Sequence, residues 1–332
     1  HMDVSPDAPS VDIKTRIIKN YDGGDITLDC GTVLSPKVFE SLQNYIGDDL
    51  IVTDGMTLLG GDDKAGIAEI LTMAEELLTH PELKHGTIKI GFTPDEEIGR
   101  GADLFDVKRF GADYAYTVDG GPFGEIVYEN FNAAAATVTV AGVGIHPGSA
   151  KNKMRNASLL AMEFNSLLPP FERPEHTEKY EGFIHLTGIE GRVENAKLSY
   201  IIRDHNREKL ESKKNALQSA ADYLNGKYGA GTFTLNITDS YQNMAVVIKD
   251  NYHLVETASR VIEQLGGKVR IEPMRGGTDG AMLSFKGLPC PNLGTGGHNA
   301  HGRAEYVSAQ AMDKCVAALV KVCEIYANNL RS

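Results

Sequence analysis

The order of predicted helices and strands constrains this 332-residue chain more than any other feature of its sequence. Helical apolar spacing runs from Lys64 to about Leu78, and short β-branched and apolar runs follow at Thr87 to Phe92 and near Tyr114 to Val118. Helices that alternate with strands predict a parallel or mixed sheet with helices on its faces. Functional sites in such sheets gather beyond the carboxyl ends of the strands.

A different pattern begins at Asn132 and continues to about residue 241. The predicted elements there are strand Ala133 to Val140, helix Ala157 to Leu168, strands Phe183 to Leu186 and Lys197 to Arg203, helix Arg207 to Leu224, and strand Thr232 to Ile237. Several strands with two helices predict a separate α+β domain. We therefore expect an insertion at residues 131–241.

The alternation of helix and strand returns after this insertion. The predicted elements are a helix near Asn251 to Gln264, strands near Lys268 to Ile271 and Cys290 to Leu293, and a helix from Ala309 to about Asn328. Residues 1–130 and 242–332 share this alternation and are thus expected to form one discontinuous domain. A second domain is expected in any case, because a chain of this length exceeds what a single hydrophobic core usually supports. The expected fold class is α/β, with a mixed sheet flanked by helices and an inserted α+β domain.

Charge and apolar composition argue against two classes of partner. The formal net charge is −12 and the basic residues are scattered, so the chain has no positive patch for nucleic acid or an anionic membrane. No stretch approaches about 18 apolar residues, and no charged-then-apolar leader opens the sequence. The four cysteines form no C-x-x-C pair, which is typical of a reducing compartment. We therefore predict a cytoplasmic protein that binds neither nucleic acid nor membrane.

Histidine, aspartate and glutamate are concentrated in five short segments. Four follow predicted strands, and the first lies at the beginning of the sequence. The segments are His1-Met2-Asp3, Gly61-Asp62-Asp63-Lys64, Pro94-Asp95-Glu96-Glu97, Val118-Asp119-Gly120-Gly121 and Gly296 to His301. Zinc binds imidazole nitrogen and carboxylate oxygen, and a two-zinc site needs roughly three protein ligands per ion, with one carboxylate shared. The five segments together supply such a set.

The local sequence indicates how the acidic residues divide their roles. Asp62 stands where a glycine-rich turn enters a helix, so its carboxylate can lie between two cations. Glu96 and Glu97 are adjacent on an irregular segment, where one can bind metal while the other, predicted to be Glu96, takes a proton from water. Asp3 can accept the second N–H of the His1 imidazole and fix its tautomer without touching metal.

Each segment taken alone also has an ordinary structural interpretation. An aspartate before a helix, such as Asp62, is commonly an N-cap. Asp119 before two glycines can be a turn former, and a glutamate pair is usually solvated. The joint occurrence of the five segments favours the metal site.

These segments resemble the motifs of a family of two-zinc exopeptidases and deacylases that includes carboxypeptidase G and aminoacylase. The runs that carry the resemblance are His1 to Asp3, Gly61 to Gly66, Thr93 to Gly99, Thr117 to Gly120 and Gly296 to Gly302. Four more, Val52 to Gly55, Phe131 to Ala134, Tyr180 to Phe183 and Arg275 to Gly280, resemble the tripeptide aminopeptidases of that family in particular. The resemblance implies an enzyme that removes the N-terminal residue from tripeptides with a free amino group. A dipeptidase, carboxypeptidase or deacylase with the same metal core, or a truncated non-catalytic relative, is the alternative.

The resemblance also implies the ligands of two zinc ions, with cobalt or manganese as alternatives. The implied ligand sets are His1, Asp62 and Asp119 for one ion, and Asp62, Glu97 and His301 for the other. His301 is favoured over His298 because it precedes the glycine of the motif. Glu96 is the implied general base.

Residues outside this cluster have implied roles as well. His146 would polarise the scissile carbonyl, although a histidine before proline can also be part of a surface turn. Arg275 would bind the substrate's C-terminal carboxylate bidentately, and Asn132 would also bind substrate. The inserted domain would be of a lid or dimerisation type, which predicts a homodimer formed through it.

Members of this family have a segment before the first histidine motif, with sheet strands and a covering helix. The resemblance therefore implies that this sequence is the greater part of a longer protein. A cloning remnant at His1 and Met2 is the alternative, and the run from Asp3 to Asp7, which continues the family pattern, argues against it.

Overall fold

The computed structural model of this chain describes residues 1–329 and divides into two units. Unit 1 comprises His1–Tyr128, Met244–Glu272 and Thr278–Ser332, and unit 2 comprises Glu129–Asn243 and Pro273–Gly277. The short second segment of unit 2 falls within 242–332, which the sequence assigns to the discontinuous domain. It belongs to unit 2 because the backbone N–H of Met274 donates to the oxygen of Glu129 at 2.9 Å. Residues 330–332 of the predicted domain lie outside the described residues.

Helices and strands occur at or near most of the predicted positions. The strands are β1 Thr15–Ile18, β2 Ile26–Thr27, β3 Val33–Leu34, β4 Leu50–Thr53, β5 Thr117–Val118, β6 Glu125–Val127, β7 Asn132–Ala141, β8 Phe183–Gly191, β9 Asn195–Asp204, β10 Phe233–Tyr241, β11 Arg270–Ile271, β12 Asn292–Leu293, β13 Gly297–His298 and β14 Tyr306–Ser308. The α-helices are α1 Gly61–Thr79, α2 Val107–Phe110, α3 Ala157–Ser166, α4 Arg207–Tyr228, α5 Ala245–Ile248, α6 His253–Gln264, α7 Asp279–Phe285 and α8 Ala309–Asn329. Among the helices of residues 1–329, none is both long enough and apolar enough to span a membrane.

Unit 1 contains a mixed sheet of strand order β11-β6-β12-β5. Strand β12 runs parallel to β5, with Asn292 opposite Thr117, and antiparallel to β6, with Asn292 opposite Val127. A second sheet of order β1-β4-β14-β13 is antiparallel. The mixed sheet predicted from the alternation of helix and strand is confirmed.

The long helices of unit 1 pack against one another through apolar stripes. Both α1 and α6 pack against α8. The buried stripe of α1 includes Ala65, Met73 and Leu77, which are spaced at multiples of four residues and so lie on one face of the helix. Glu69 occupies the remaining position of this stripe and is only 1% exposed.

The strand predicted at Thr87 to Phe92 is wrong. These residues form no ladder with any described strand, and Ile90 and Phe92 are exposed. β-branched and apolar composition favours an extended chain, but a strand also requires a neighbour to accept and donate its backbone hydrogen bonds. Glu96 and Glu97 therefore follow a segment that is not part of any described strand.

Unit 2 is a four-stranded antiparallel sheet of order β10-β7-β9-β8, with α3 and α4 packed against β9. Alternate residues of β7, including Ala136, Val138 and Val140, are buried and form a core with Phe164 of α3 and Leu217 of α4. Both helices begin at an asparagine whose side-chain oxygen accepts a backbone N–H of the first turn. This unit has the α+β composition predicted for the insertion.

Candidate metal centre

A tight glycine turn places Asp62 at the entrance to α1. Gly60 has a left-handed φ of 66°, and Asp62 and Asp63 have non-helical backbone angles, so the regular helix begins after Asp63. A Cβ atom at Gly61 would lie 2.6 Å from Val307 Cγ2, which leaves no room for a larger residue. The Asp62 side chain therefore projects from a turn and not from a regular helix.

His1, Asp62 and Asp119 bring three potential ligand atoms together. Nε2 of His1 lies 3.0 Å from Oδ1 of Asp62 and 3.7 Å from Oδ1 of Asp119. Asp119 directly follows β5, whose pairing with β12 fixes its position. A nitrogen and two carboxylate oxygens at these separations suit zinc, because ligand bonds of about 2.0–2.2 Å leave neighbouring ligand atoms roughly 3–4 Å apart.

Asp62, Glu97 and His301 form a second group of this kind. Nε2 of His301 lies 2.9 Å from Oε2 of Glu97 and 3.3 Å from Oδ2 of Asp62. Asp62 thus presents Oδ1 to the first group and Oδ2 to the second. One carboxylate shared in this way is the arrangement that a pair of neighbouring cations requires.

His298, on the same loop as His301, has a different environment. The Tyr45 hydroxyl is hydrogen-bonded to Nε2 of His298 at 2.6 Å, and the His298 ring stacks on Tyr306 with centroids 5.0 Å apart. Burial and the charge of Arg270 lower the pKa of His298 to about 4. The geometry therefore favours His301 over His298 as a metal ligand.

Asp3 links the first histidine to the segment that carries the two glutamates. Its Oδ1 and Oδ2 accept the backbone N–H groups of Glu96 and Glu97 at 3.1 and 3.0 Å. Oδ1 also lies 3.3 Å from Nδ1 of His1, and the backbone oxygen of Asp3 lies 3.0 Å from the same nitrogen. A single carboxylate can therefore orient both the imidazole and the glutamate turn.

Glu96 lies beside the first group of ligands. Its Oε2 is 3.9 Å from Nε2 of His1, and it begins a single 3-10 turn, Glu96–Ile98. Burial raises the pKa of Glu96 to about 7, a rise that the His1 charge opposes and the Asp279 charge reinforces. A carboxyl group with a pKa near neutrality can accept and release a proton at an ordinary working pH.

The electrostatics of the cluster fit bound cations. Burial and the charges of Asp63 and Asp62 raise the pKa of Asp119 well above its ordinary value, and burial and Asp62 raise that of Glu97. Oε1 of Glu97 is buried without a hydrogen-bond partner among the described residues. Carboxylates this close together repel one another unless a cation lies between them. The donor set therefore fits two divalent cations such as zinc.

Glu305 shapes this centre and was missed by sequence reasoning. Its side chain is 3% exposed, and its Oε2 accepts the backbone N–H groups of Leu59 and Gly60 at 2.8 and 2.7 Å. Its Oε1 accepts the N–H of Asp62 at 3.0 Å. The carboxylate thus holds the turn that presents Asp62. The only signal in the sequence was an acidic residue four positions after His301.

Arg275, in unit 2, donates hydrogen bonds within its own unit. Its guanidinium donates to the backbone oxygens of Lys179 and Glu181 at 2.9 and 2.6 Å and to the side-chain oxygen of Thr177 at 2.9 Å. It also lies over the ring of Phe131, 5.1 Å from the centroid. These contacts hold the loop at residues 177–181, while binding of a substrate carboxylate stays a prediction.

Asn132 and His146, also in unit 2, have local partners as well. The buried Asn132 amide donates to the backbone oxygens of Asp204 and His205 at 3.1 and 2.9 Å. His146 is exposed, and its Nδ1 accepts the backbone N–H of Gly148 at 3.2 Å. Their roles toward substrate stay predictions.

The chain belongs to peptidase family M20/M25/M40, whose model matches residues 54–325. Within that family it is similar to Peptidase T of Halothermothrix orenii, with 56% identity over 329 residues that cover 98% of this chain and 81% of the relative. Peptidase T of Alkaliphilus oremlandii is 54% identical over 328 residues, covering 98% of this chain and 80% of the relative. The family resemblance inferred from the motifs is confirmed.

Solved structures share the fold. Aminopeptidase PepT from Bacillus cereus superposes with a TM-score of 0.73 and 26% identity, covering 83% of this chain and 74% of that chain. A tripeptidase from Staphylococcus aureus gives a TM-score of 0.78 at 21% identity over 99% of this chain and 79% of that one. A dinuclear metal-binding peptidase from Bacillus subtilis gives 0.59 at 18% identity over 80% and 72%. At these last two identities the likeness shows the fold alone.

Proposed function

We propose that this chain is a two-zinc aminopeptidase that removes the N-terminal residue from tripeptides. The observation that carries the proposal is the Asp62 carboxylate, which is shared by two groups of zinc-type ligands. The Peptidase T relatives support the reaction and the substrate class. The solved relative described as an aminopeptidase, from Bacillus cereus, is consistent with it.

The residues of unit 1 account for the proton transfers of such a hydrolysis. Zinc ions in the two ligand groups would polarise the scissile carbonyl and lower the pKa of water to about 7. Glu96, with a pKa raised to about 7 by burial, accepts a proton from the attacking water and returns it to the departing amine. Asp3 holds the His1 ring and the turn that carries Glu96 in fixed positions during these transfers.

Further parts of the proposal rest on the family resemblance. His146 would donate a hydrogen bond to the developing oxyanion, a type of contact typically worth about 2.7–4 kcal/mol. Arg275 and Asn132 would bind the peptide. A cytoplasmic location and a homodimer formed through unit 2 complete the proposal.

A metal analysis combined with a substrate panel tests the proposal. After loading with zinc, the protein is expected to hold two equivalents per chain and to cleave tripeptides only when the α-amino group is free. A preference for dipeptides, or cleavage of N-blocked substrates, would instead identify a dipeptidase or a deacylase. Less than one zinc per chain without hydrolysis would indicate a non-catalytic family member. Parallel loading with cobalt and manganese compares the metals.

A further inference from the structure

We infer that Asp279 is a positioning residue, which holds the two ends of the glutamate segment, residues 93–102, and so fixes where Glu96 lies. This inference rests on the proposed function and adds a further residue to it. Asp279 is the first residue of α7 and is only 5% exposed. It belongs to unit 1, as does the whole glutamate segment.

The glutamate segment depends on side chains for its place in unit 1. It is not part of any described strand, and its one helical turn is Glu96–Ile98. The residues on either side of that turn, Asp95 and Gly99, have left-handed φ values of 63° and 70°. The backbone N–H of Arg100 donates to the oxygen of Asp95 at 2.9 Å. This bond closes the loop on itself but does not attach it to the rest of the unit.

The Asp279 carboxylate lies against both ends of this segment. A Cβ atom built on Gly101 would be 2.2 Å from Oδ2 of Asp279 and 2.4 Å from Oδ1, so the carboxylate lies directly against the Gly101 backbone. Burial raises the pKa of Asp279, and hydrogen bonds from the Thr93 side chain and the backbone of Ala102 oppose the rise. Thr93 begins the segment and Ala102 ends it. One carboxylate therefore joins the two ends.

Close packing at the start of α7 gives Asp279 a fixed position. A Cβ atom at Gly280 would lie 2.5 Å from the backbone oxygen of Cys290, so the helix begins in direct contact with the chain that leads into β12. Ala102 is buried in one apolar cluster with Leu283 of α7 and Cys290. Asp279 and one end of the glutamate segment therefore belong to the same packed core.

The ordinary role of an aspartate at the start of a helix is to stabilise that helix. In α7 the cap is Thr278, whose hydroxyl accepts the backbone N–H of Gly280 at 3.4 Å. The Asp279 carboxylate lies instead against Gly101, which is distant in sequence. Burying a carboxylate costs free energy unless its contacts compensate. The contacts of Asp279 are those that join the ends of the glutamate segment.

Asp279 and Asp3 hold different parts of the glutamate segment. Asp3 accepts the backbone N–H groups of Glu96 and Glu97 in its middle, whereas Asp279 contacts its ends. Asp3 alone would leave the segment free to tilt about its middle. A displacement of about 1 Å at a reacting group can cost about 10²-fold in rate. A residue outside both ligand groups can therefore limit turnover through the position of Glu96.

Gly101 allows this contact to be disturbed without changing Asp279 itself. Gly101→Ala places a methyl group about 2.2 Å from Oδ2 of Asp279, so the carboxylate or the segment must shift. In the double variant Gly101→Ala/Asp279→Ala the clashing oxygens are absent, so the two losses should not multiply. Gly86→Ala is the matched control, because Gly86 is an exposed glycine of unit 1 whose Cβ would meet no atom within 4 Å.

The test measures kcat, KM and zinc content of the zinc-saturated variants on the tripeptide Ala-Gly-Gly. Asp279→Ala and Gly101→Ala are each expected to lower kcat at least about tenfold, with KM within about threefold and two zinc equivalents retained. Asp279→Asn keeps one acceptor oxygen and should recover kcat at least about threefold over Asp279→Ala, and Gly86→Ala should match wild type. Lower stability in urea with an unchanged kcat would show a purely structural role and overturn the inference. Losses that multiply in the double variant would also overturn it.

Hydrogen exchange separates this inference from the proposed function. In the metal-free protein, Asp279→Ala should speed backbone exchange at residues 93–102 at least about fivefold, measured by mass spectrometry, while α8 exchanges as in wild type. If wild type cleaves no tripeptide, the proposed function fails, and exchange still decides whether Asp279 holds the segment. Unchanged exchange at residues 93–102, in a protein whose wild type cleaves tripeptides, would overturn the positioning role alone.

Discussion

Oδ1 of Asp3 accepts the backbone N–H of Glu96 at 3.1 Å. The same carboxylate accepts the N–H of Glu97 and lies 3.3 Å from Nδ1 of His1. The proposed base and ligands of both metal groups are thus positioned by one side chain. A change at Asp3 should therefore affect metal binding and turnover together.

Asp3→Asn should lower zinc affinity, turnover or both by about 10–100-fold. The amide that replaces the carboxylate offers a single acceptor oxygen, so one of the two backbone N–H groups loses its partner. Zinc affinity is measured by competition with a chelator, and turnover by the rate of tripeptide cleavage. Asp25→Asn is the control, because Asp25 is an exposed aspartate of unit 1 that contacts none of the proposed ligands. Wild-type affinity and rate in Asp3→Asn would exclude the positioning role.

Alanine substitution of the two adjacent glutamates should affect different properties, turnover for Glu96 and metal content for Glu97. Glu96→Ala should retain both metal equivalents and lose about 10²–10⁴-fold in kcat, because only the proton acceptor is removed. Glu97→Ala should bind about one equivalent less, because its Oε2 lies 2.9 Å from His301 in the second group. Elemental analysis and steady-state kinetics on both variants provide the comparison. Full turnover in Glu96→Ala at full metal occupancy would remove Glu96 from the mechanism.

Glu305→Ala should lower the free energy of unfolding of the metal-free protein by about 3 kcal/mol or more. The substitution leaves three backbone N–H groups, those of Leu59, Gly60 and Asp62, without their acceptor, and each such group costs about 1–3 kcal/mol when buried. Urea denaturation followed by circular dichroism measures the change. Glu305→Gln keeps one acceptor oxygen and should lose less. Equal stability of wild type and the alanine variant would show that the turn does not depend on this carboxylate.

Glu69→Gln should stabilise the protein increasingly as the pH rises. Burial and the charge of Asp63 raise the pKa of Glu69 from 4.5 to about 10, so the folded state retains a proton that the unfolded state releases. Wild-type stability therefore falls by about 1.4 kcal/mol per pH unit from this group between about pH 5 and 9, and below about pH 4.5 its contribution is constant. Glutamine cannot ionise and removes this slope.

Denaturation of wild type and Glu69→Gln at several pH values between 5 and 9 measures the effect. The stability difference should widen in favour of the variant with rising pH. Glu75→Gln on the exposed face of α1 is the control and should run parallel to wild type. A constant difference between wild type and Glu69→Gln across this range would contradict the assignment.

Local patterns in the sequence were sufficient to predict much of the fold. Helix α1 and strand β7 follow from periodic apolar positions, which depend only on neighbouring residues. The strand predicted at Thr87 to Phe92 was wrong, because composition cannot show whether a pairing partner is present. Residue type and spacing were also sufficient to identify the ligand candidates that the structure groups around Asp62.

Contacts that depend on tertiary convergence could not be predicted. Glu305 acts through three backbone N–H groups more than 240 positions away in the chain, and no local pattern marks that approach. Arg275 matched a family motif, but its contacts with residues 177–181 depend on how Pro273–Gly277 returns to unit 2.

The two ligand groups differ in how early in synthesis their residues become available. His1, Asp62 and Asp119 all precede unit 2 in the chain, whereas His301 follows it. Translation therefore delivers the first group well before the second can close. Glu305, which steadies the shared carboxylate, emerges later still. On the proposed ligand assignment, a nascent chain can therefore hold a cation pair only after the whole inserted unit has been made.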